Sequence, residues 1–236
     1  MKPKNISIVI PFHQEEASLK ELIPRLMEVI RSLENSVEVI LVDDASSDGG
    51  ATVVESFRAY HPEIRLIRLK TRGGQTGCYR AAFEQAQGDY ILRMDADLQD
   101  DPRDLPRFME KIADGYELIM GLREARKHPR LLRAASMVYD LLVLLLFNSP
   151  LHSNSGSYVA FRADLVKNIP YRRNDHRYLS LIAMRRGAKR IGEVFVRHNE
   201  RQWGVSKYRS IKKVILGIPE VIMFMGRYLL GVYDLQ

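Results

Sequence analysis

The first half of the chain alternates short, almost wholly apolar runs with longer stretches whose apolar positions recur every three to four residues. Ile6–Ile10, Val37–Val42, Ile64–Leu69 and Tyr90–Met94 are rich in β-branched residues and read as strands. Glu15–Leu33, Asp48–Tyr60 and Thr76–Gln87 read as the helices between them. Strands this continuously apolar, alternating with helices, predict a parallel sheet covered on both faces. Further on, Asp101-Pro102 supplies an N-cap and first helical residue for Pro102–Ala113, Gly115 can end that helix, and a strand over Tyr116–Gly121 delivers Arg123. The second half is less regular, with helices at Leu131–Phe147 and Tyr178–Arg186 and a strand at Ile191–Val196. No repeat, low-complexity tract or Gly/Ser linker divides the chain, and 236 residues suffice for one substantial core.

Ligands of such sheets bind at the carboxyl ends of the strands. The polar residues gather there. Pro11-Phe12-His13-Gln14-Glu15 follows the first strand, Asp43-Asp44-Ala45-Ser46-Ser47-Asp48-Gly49 the second, and Asp95-Ala96-Asp97 the fourth, so three acidic strand ends are expected to share one crevice. Asp95 and Asp97, spaced i, i+2, would project to one side, roughly 6–7 Å apart in an extended chain. Such a pair is costly without a cation. Mg²⁺ takes hard oxygen ligands and binds through one or two carboxylates plus substrate phosphates, and Gln99, another i+2 step along, could add an amide oxygen. Alone, an Asp-x-Asp is more often an ion-paired surface turn; its place after a buried strand favours the site. Asp43 or Asp44 could accept hydrogen bonds from ribose hydroxyls or a base N–H. Ser46, Ser47 and Asp48 read as caps for the following helix, and Gly73-Gly74-Gln75-Thr76-Gly77 as a tight turn, since it lacks the Lys-Ser/Thr of a phosphate loop.

A formal charge of +7, with positive residues crowded into the second half, implies an anionic partner: substrate phosphates, an anionic bilayer surface or nucleic acid. Within that half, Arg201 could clamp phosphate oxygens as a bidentate fork and Lys207 could add a point charge. The lone Cys78 excludes an internal disulfide and a thiolate zinc site and fits a reducing, cytosolic setting. The histidines are scattered singly and no Gly-x-Ser-x-Gly elbow follows a strand, so zinc and serine-triad chemistry are unsupported. Met1–Asn5 is basic, but the apolar run Ile6–Ile10 behind it is too short for the core of a signal peptide. Met137–Phe147 is too short to span a bilayer, and Val214–Val232 is interrupted by Pro219, Glu220 and Arg227. With Lys207, Arg209, Lys212 and Lys213 just upstream, residues 211–236 are expected to form an amphipathic or membrane-associating helical tail on a catalytic domain of residues 1–210.

Taken together, Ile8-Val9-Ile10-Pro11 with Glu15, Leu41-Val42-Asp43-Asp44-Ala45-Ser46-Ser47-Asp48-Gly49, Gly88-Asp89-Tyr90 and Met94-Asp95-Ala96-Asp97-Leu98-Gln99 form a specific series. In these motifs the chain resembles the inverting glycosyltransferases of the dolichol-phosphate mannose synthase type, and polyprenyl-phosphate glycosyltransferases more widely. The resemblance implies an α/β GT-A nucleotide-diphosphosugar transferase fold with a C-terminal helical, membrane-interface appendage. It implies nucleoside contacts at Pro11, Glu15 and Asp43 or Asp44. The metal and diphosphate centre would fall on Asp95, Ala96, Asp97 and Gln99, with Mg²⁺ or Mn²⁺ held by Asp95, Asp97 and Gln99. Arg123 would meet phosphate, and the late loop Arg201-Gln202-Trp203-Gly204-Val205-Ser206-Lys207 would serve donor and acceptor phosphates through Arg201, Ser206 and Lys207. Asp97 and Arg201 are the implied catalytic pair. The chain departs from the family where Gly74-Gln75-Thr76-Gly77 replaces a common Gly-Lys-Gly and His13-Gln14 a common Tyr-Asn, and at Ser153 or Asn154 and Tyr158-Val159.

The expected reaction moves a hexose from GDP-mannose or a UDP-hexose to a polyprenyl or dolichyl phosphate, with inversion. The expected setting is the cytosolic face of a membrane, peripherally bound, with a membrane-anchoring partner subunit and no nucleic acid. Two rival readings are the same donor chemistry on another acceptor, such as a glycan hydroxyl or lipid headgroup, and a non-catalytic basic protein that binds membrane or nucleic acid.

Overall fold

The computed structural model describes residues 4–123, 146–152, 156–199 and 212–235. Its strands are β1 (Ile6–Phe12), β2 (Val37–Asp43), β3 (Ile64–Arg68), β4 (Tyr90–Arg93), β5 (Leu118–Arg123), β6 (Val159–Arg162) and β7 (Ile191–Val196). Its helices are α1 (Glu16–Arg31), α2 (Gly50–Arg58), α3 (Gly74–Gln85), α4 (Leu105–Ala113), α5 (Leu179–Arg185) and α6 (Lys212–Leu229). The strands form one mixed sheet in the order β3-β2-β1-β4-β6-β5-β7. β1, β2, β3 and β4 run parallel as expected, and β6 is antiparallel to both β4 and β5.

The central strand shows how the pattern becomes two layers. Ile6, Ile8, Ile10 and Phe12 face one side with Leu19, Leu22 and Leu26 of α1 and Phe108 and Ile112 of α4. Val9 faces the other with Tyr79 and Phe83 of α3, Leu181 and Ile182 of α5 and Phe224 of α6. Each such side chain contributes roughly 1.5–3 kcal/mol when fully buried. β1 continues past the expected Ile10 to Phe12 even though Pro11 lacks an N–H. The Val9 carbonyl accepts from Met94 N at the end of β4, and Pro11, two residues on, points the same way, beyond the last rung.

The helix expected over Pro102–Ala113 begins as a 3₁₀ turn, Pro102–Asp104, before α4 proper. Pro106 cannot donate to the Pro102 carbonyl, so that carbonyl accepts from Leu105 N instead. Asp101 does cap this turn, accepting from Arg103 N at 3.0 Å. Gly88 must be glycine for a different reason: a Cβ there would lie 2.6 Å from Ser7 N and 2.8 Å from the Ile6 carbonyl carbon, backbone that cannot move aside. The short β6 was not expected. It pairs β4 with β5 in the middle of the sheet and so fixes the second half against the first.

Candidate active site

The loops after β1 and β2 are tied to each other. Asp48 accepts from Glu16 N at 2.9 Å and from Gly50 N at 3.1 Å, so a single carboxylate holds the starts of α1 and α2. Glu16 returns the contact, accepting from Gly49 N at 2.9 Å. Ser46 and Ser47, expected to cap α2, instead accept from Gln14 N and Gln14 Nε2 across the gap, at 3.2 and 2.6 Å. Of the three expected caps only Asp48 meets the start of α2; the two serines bridge the loops because the parallel pairing of β1 with β2 sets those loops side by side.

Both acids at the end of β2 are buried. Asp43 accepts from Ser46 N at 2.8 Å and lies 3.6 Å from Arg68. Asp44 accepts from Gly73 N at 2.6 Å and Gly74 N at 3.1 Å, at the start of α3, with Arg72 3.7 Å away. The glycine-rich segment is therefore a turn, as expected, and also an anchor, and φ of +63° at Gly74 lets it swing its N–H toward the carboxylate. The anchor places Gln75, whose Nε2 donates to Asp95 Oδ1 at 3.2 Å. Pro11 is buried in β1. Glu15 ends the loop at the start of α1 and accepts from Ser18 Oγ at 2.8 Å.

Asp95-Ala96-Asp97-Leu98-Gln99 follows β4, as the pattern required. Asp97 Oδ1 accepts from Gln99 N at 3.2 Å, and the residue between them, buried Leu98, sits at φ +64°. A left-handed leucine costs of order 1–3 kcal/mol, and such strain persists where surroundings enforce it, typically at functional sites. Behind the turn lies Asp100, fully buried, which accepts from Asp95 N at 3.0 Å and Ser157 Oγ at 2.8 Å. Arg123, at the end of β5, donates to Ser157 at 2.5 Å and lies 3.6 Å from Asp100. On the other flank, buried Arg93 donates to the His176 and Gly156 carbonyls, and Thr76 meets His176 Nδ1 at 2.8 Å.

The electrostatics of the turn follow from this crowding. Burial, then the neighbouring Asp100 and Asp97 carboxylates, push the Asp95 carboxyl up to about 7, more than Arg93 and Arg123 can offset. His176 is held in the opposite sense: burial, with Arg93 and Arg177 nearby, keeps its imidazole neutral and lowers it to about 3.

The structure thus brings Asp43, Asp44, Asp95, Asp97, Gln99 and Arg123 to one edge of the sheet. Arg201, Ser206 and Lys207 lie outside the described residues, as do Ser153 and Asn154. Gln75, Asp100, Ser157 and His176 are contacts that sequence reasoning did not name. Asp100 had a signal, since it extends the acidic run from Asp95 to Asp101; the others are brought in by the fold alone.

Comparison with known proteins decides the family. The chain matches glycosyl transferase family 2 over residues 7–170. It belongs to that family. It is 33% identical over 215 residues to an undecaprenyl-phosphate 4-deoxy-4-formamido-L-arabinose transferase of Pectobacterium carotovorum, covering 90% of this chain and 65% of that relative's length. Among solved structures it is similar to the glucosyl-3-phosphoglycerate synthase of Mycobacterium tuberculosis in complex with Mn²⁺, uridine diphosphate and phosphoglyceric acid, with a TM-score of 0.68 at 18% identity, over 98% of this chain and 78% of that one. It is also similar to a mannosyltransferase of Pyrobaculum calidifontis in complex with GDP-Man and Mn²⁺, with a TM-score of 0.61 at 18% identity, over 87% and 58% of the two chains. The fold of this glycosyltransferase family member is therefore GT-A, with a mostly parallel mixed sheet and helices on both faces.

The donor set suits a hard divalent cation. Among the described residues no three His, Cys, Asp or Glu side chains cluster tightly enough to hold a metal alone. Two carboxylates and an amide oxygen beside an unneutralised negative field do fit an ion whose remaining ligands are water and phosphate oxygens.

Proposed function

We propose that the chain transfers a sugar from a nucleotide diphosphosugar to a polyprenyl phosphate, with inversion at the anomeric carbon. The observation that carries this reading is the turn after β4, where Asp95 and Asp97 stand beside the fully buried Asp100 at the same sheet edge as Asp43 and Asp44, an acidic cluster that needs positive charge. A diphosphate arriving with its cation supplies it. Asp95, Asp97 and Gln99 would hold Mg²⁺ or Mn²⁺, which, when bound, neutralises the charge that develops on the departing nucleoside diphosphate. The chain's own residues then divide the work. Asp43 or Asp44, with Pro11 and Glu15, face the nucleoside; Ala96 lets the backbone come close; Arg123 and Arg201 meet phosphate oxygens; Ser206 and Lys207 serve the acceptor.

In the reacting step an acceptor phosphate oxygen forms the new bond to the anomeric carbon, and the bond from that carbon to the diphosphate oxygen breaks. An acceptor phosphate is already ionised near pH 7, so no side chain need take a proton from it. Asp97 therefore holds the cation and is not a base. The undecaprenyl-phosphate relative supports a polyprenyl acceptor, and the neighbours solved with GDP-Man or uridine diphosphate support a donor such as GDP-mannose or a UDP-hexose. The catalytic unit is residues 1–210, with 211–236 as its helical tail. It works on the cytosolic face of a membrane, with a membrane-anchoring subunit as a partner and no nucleic acid.

Two measurements test this. Asp97→Asn should abolish transfer to a short polyprenyl phosphate while leaving the melting temperature nearly unchanged; full activity would remove the turn from the site. Thermal-shift screening of nucleoside diphosphates with and without Mg²⁺ or Mn²⁺ should raise the melting temperature only with the matching base and cation together. Shifts independent of the cation would refute the assigned centre.

A further inference from the structure

The acidic turn after β4 poses a problem for the reaction. Asp95, Asp97 and Asp100 attract a cation with its diphosphate, and the same carboxylates repel a second anion that must approach the anomeric carbon from the opposite side. An attacking phosphate therefore needs positive charge of its own, close to the turn and outside it.

Such charge stands next to the turn. A cleft of about 490 Å³ opens between the start of α3 and the 3₁₀ turn Asp175–Tyr178 that leads into α5. That volume falls in the range of small-molecule sites, about 300–1,000 Å³. Arg72, Arg173 and Arg177 line it, and among the described residues no carboxylate does. Gln75 belongs to both places, since it lines the cleft and donates to Asp95 at 3.2 Å. The cationic cleft and the acidic turn thus share one wall.

The arginines are held in different ways. Arg177 donates to Glu220 of α6 at 2.9 Å, and Glu220 also accepts from Asn174 Nδ2 at 2.6 Å. Arg72 lies 3.7 Å from Asp44. Arg173 is exposed and makes no ion pair among the described residues. Its backbone is nevertheless fixed. Asp175 N donates to the Arg172 carbonyl at 3.2 Å, and the fully buried Asp175 carboxylate accepts from Arg172 N at 2.7 Å, so Arg173 and Asn174 form the tip of a closed turn. Asn174 takes a φ of +66° there, which asparagine tolerates better than most residues. From the C-terminal side, Arg227 donates to the same carboxylate at 2.8 Å and Tyr233 Oη at 2.9 Å. Little backbone freedom remains to be lost when the Arg173 guanidinium meets an anion.

We propose that this cleft is the subsite for the attacking phosphate of the acceptor, with Arg173 and Arg177 as its cations. That role rests on the lipid-phosphate reading of the reaction. It keeps the two anions apart: the diphosphate leaves on the acidic turn with its cation, and the acceptor enters against arginines on the far side of Gln75. Guanidinium suits the second task because its charge persists at any working pH and its fork matches two phosphate oxygens.

The test is steady-state transfer to a water-soluble short polyprenyl phosphate. Arg173→Gln should raise the acceptor KM about tenfold or more and leave the donor KM within about twofold, and Arg173→Lys should recover part of the loss. The melting temperature and the thermal shift with nucleoside diphosphate and Mn²⁺ should stay at wild-type values, since Arg173 supports neither the core nor the donor. An unchanged acceptor KM, or a rise in the donor KM in its place, would overturn the proposal. A second measurement needs no turnover. Inorganic phosphate, without metal, should raise the melting temperature of the wild type, and should do so less in Arg173→Gln/Arg177→Gln relative to that variant's own phosphate-free value; an equal shift in both would also overturn the subsite. If the wild type failed to use a polyprenyl phosphate while the phosphate shift still depended on the two arginines, the lipid-phosphate reading would fall and the oxyanion subsite would stand.

Discussion

Replacing Asp44 by Ala asks how far a buried carboxylate organises the site by anchoring α3, beside any contact of its own with the nucleoside. Asp44 accepts two backbone N–H bonds from Gly73 and Gly74, at 2.6 and 3.1 Å, where α3 begins. Hydrogen bonds to a charged acceptor contribute about 1.5–3 kcal/mol each, and Gly73 and Gly74 are exposed enough for water to recover part of that. The expected loss is therefore about 2–4 kcal/mol, a fall of roughly 5–15 °C in melting temperature for a domain of this size. Asp44→Asn retains one neutral acceptor and should lose about half as much. Differential scanning calorimetry gives the stability arm. The second arm is linkage: freeing the start of α3 releases Gln75 from Asp95, so the stabilisation by nucleoside diphosphate with Mn²⁺ should shrink in Asp44→Ala. If Asp44→Ala melts within about 1 °C of wild type, the carboxylate does not anchor α3 and the argument fails.

The pH response of Asp95 has a definite sign. Its folded-state value of about 7 stands above the ordinary 3.8, so its contribution to stability is complete below about 4 and is lost as pH rises to about 7. The difference in melting temperature between wild type and Asp95→Asn should therefore change across pH 4 to 7, and the gain from Mn²⁺ with nucleoside diphosphate should grow over the same window; parallel melting curves would refute the shift. Gly88→Ala forces a methyl against the Ile6 and Ser7 backbone and should destabilise by about 1–3 kcal/mol in chemical denaturation, with an unchanged m-value. A neutral outcome there would mean that β1 yields more easily than its burial suggests.

Local features were readable in the sequence because their causes are local. The near-continuous apolar runs named β1 to β4, and their acidic ends fall together because the carboxyl ends of parallel strands share one edge of the sheet. β6 escaped because its four residues carry no alternation of their own; partners distant in the chain, β4 and β5, create it. The same distinction runs through the site. Asp95 and Asp97 announce themselves by spacing, whereas Ser157 joins Asp100 across 57 residues and Thr76 joins His176 across 100. Asp48 was read correctly as a cap and incompletely as a partner, because its second helix, α1, lies on the far side of β2 in sequence. In α6 the interruption of the apolar run by Glu220 and Arg227 suggested an amphipathic helix; only the packing shows that those charges face inward.

The hydrogen bond from Arg123 to Ser157 closes a ring of chain. The 33 residues between them leave and return at one point, beside Asp100 and close to the turn that follows β4. Closing a loop costs little more as it lengthens, about 0.6 kcal/mol for each doubling. The closure itself therefore tolerates changes of length between them, provided Phe147 and Leu151, which are buried in the core, and Gly156, where a Cβ would meet Met120, keep their places. A frame stapled in this way keeps its two clamped ends in register whatever length of chain runs between them.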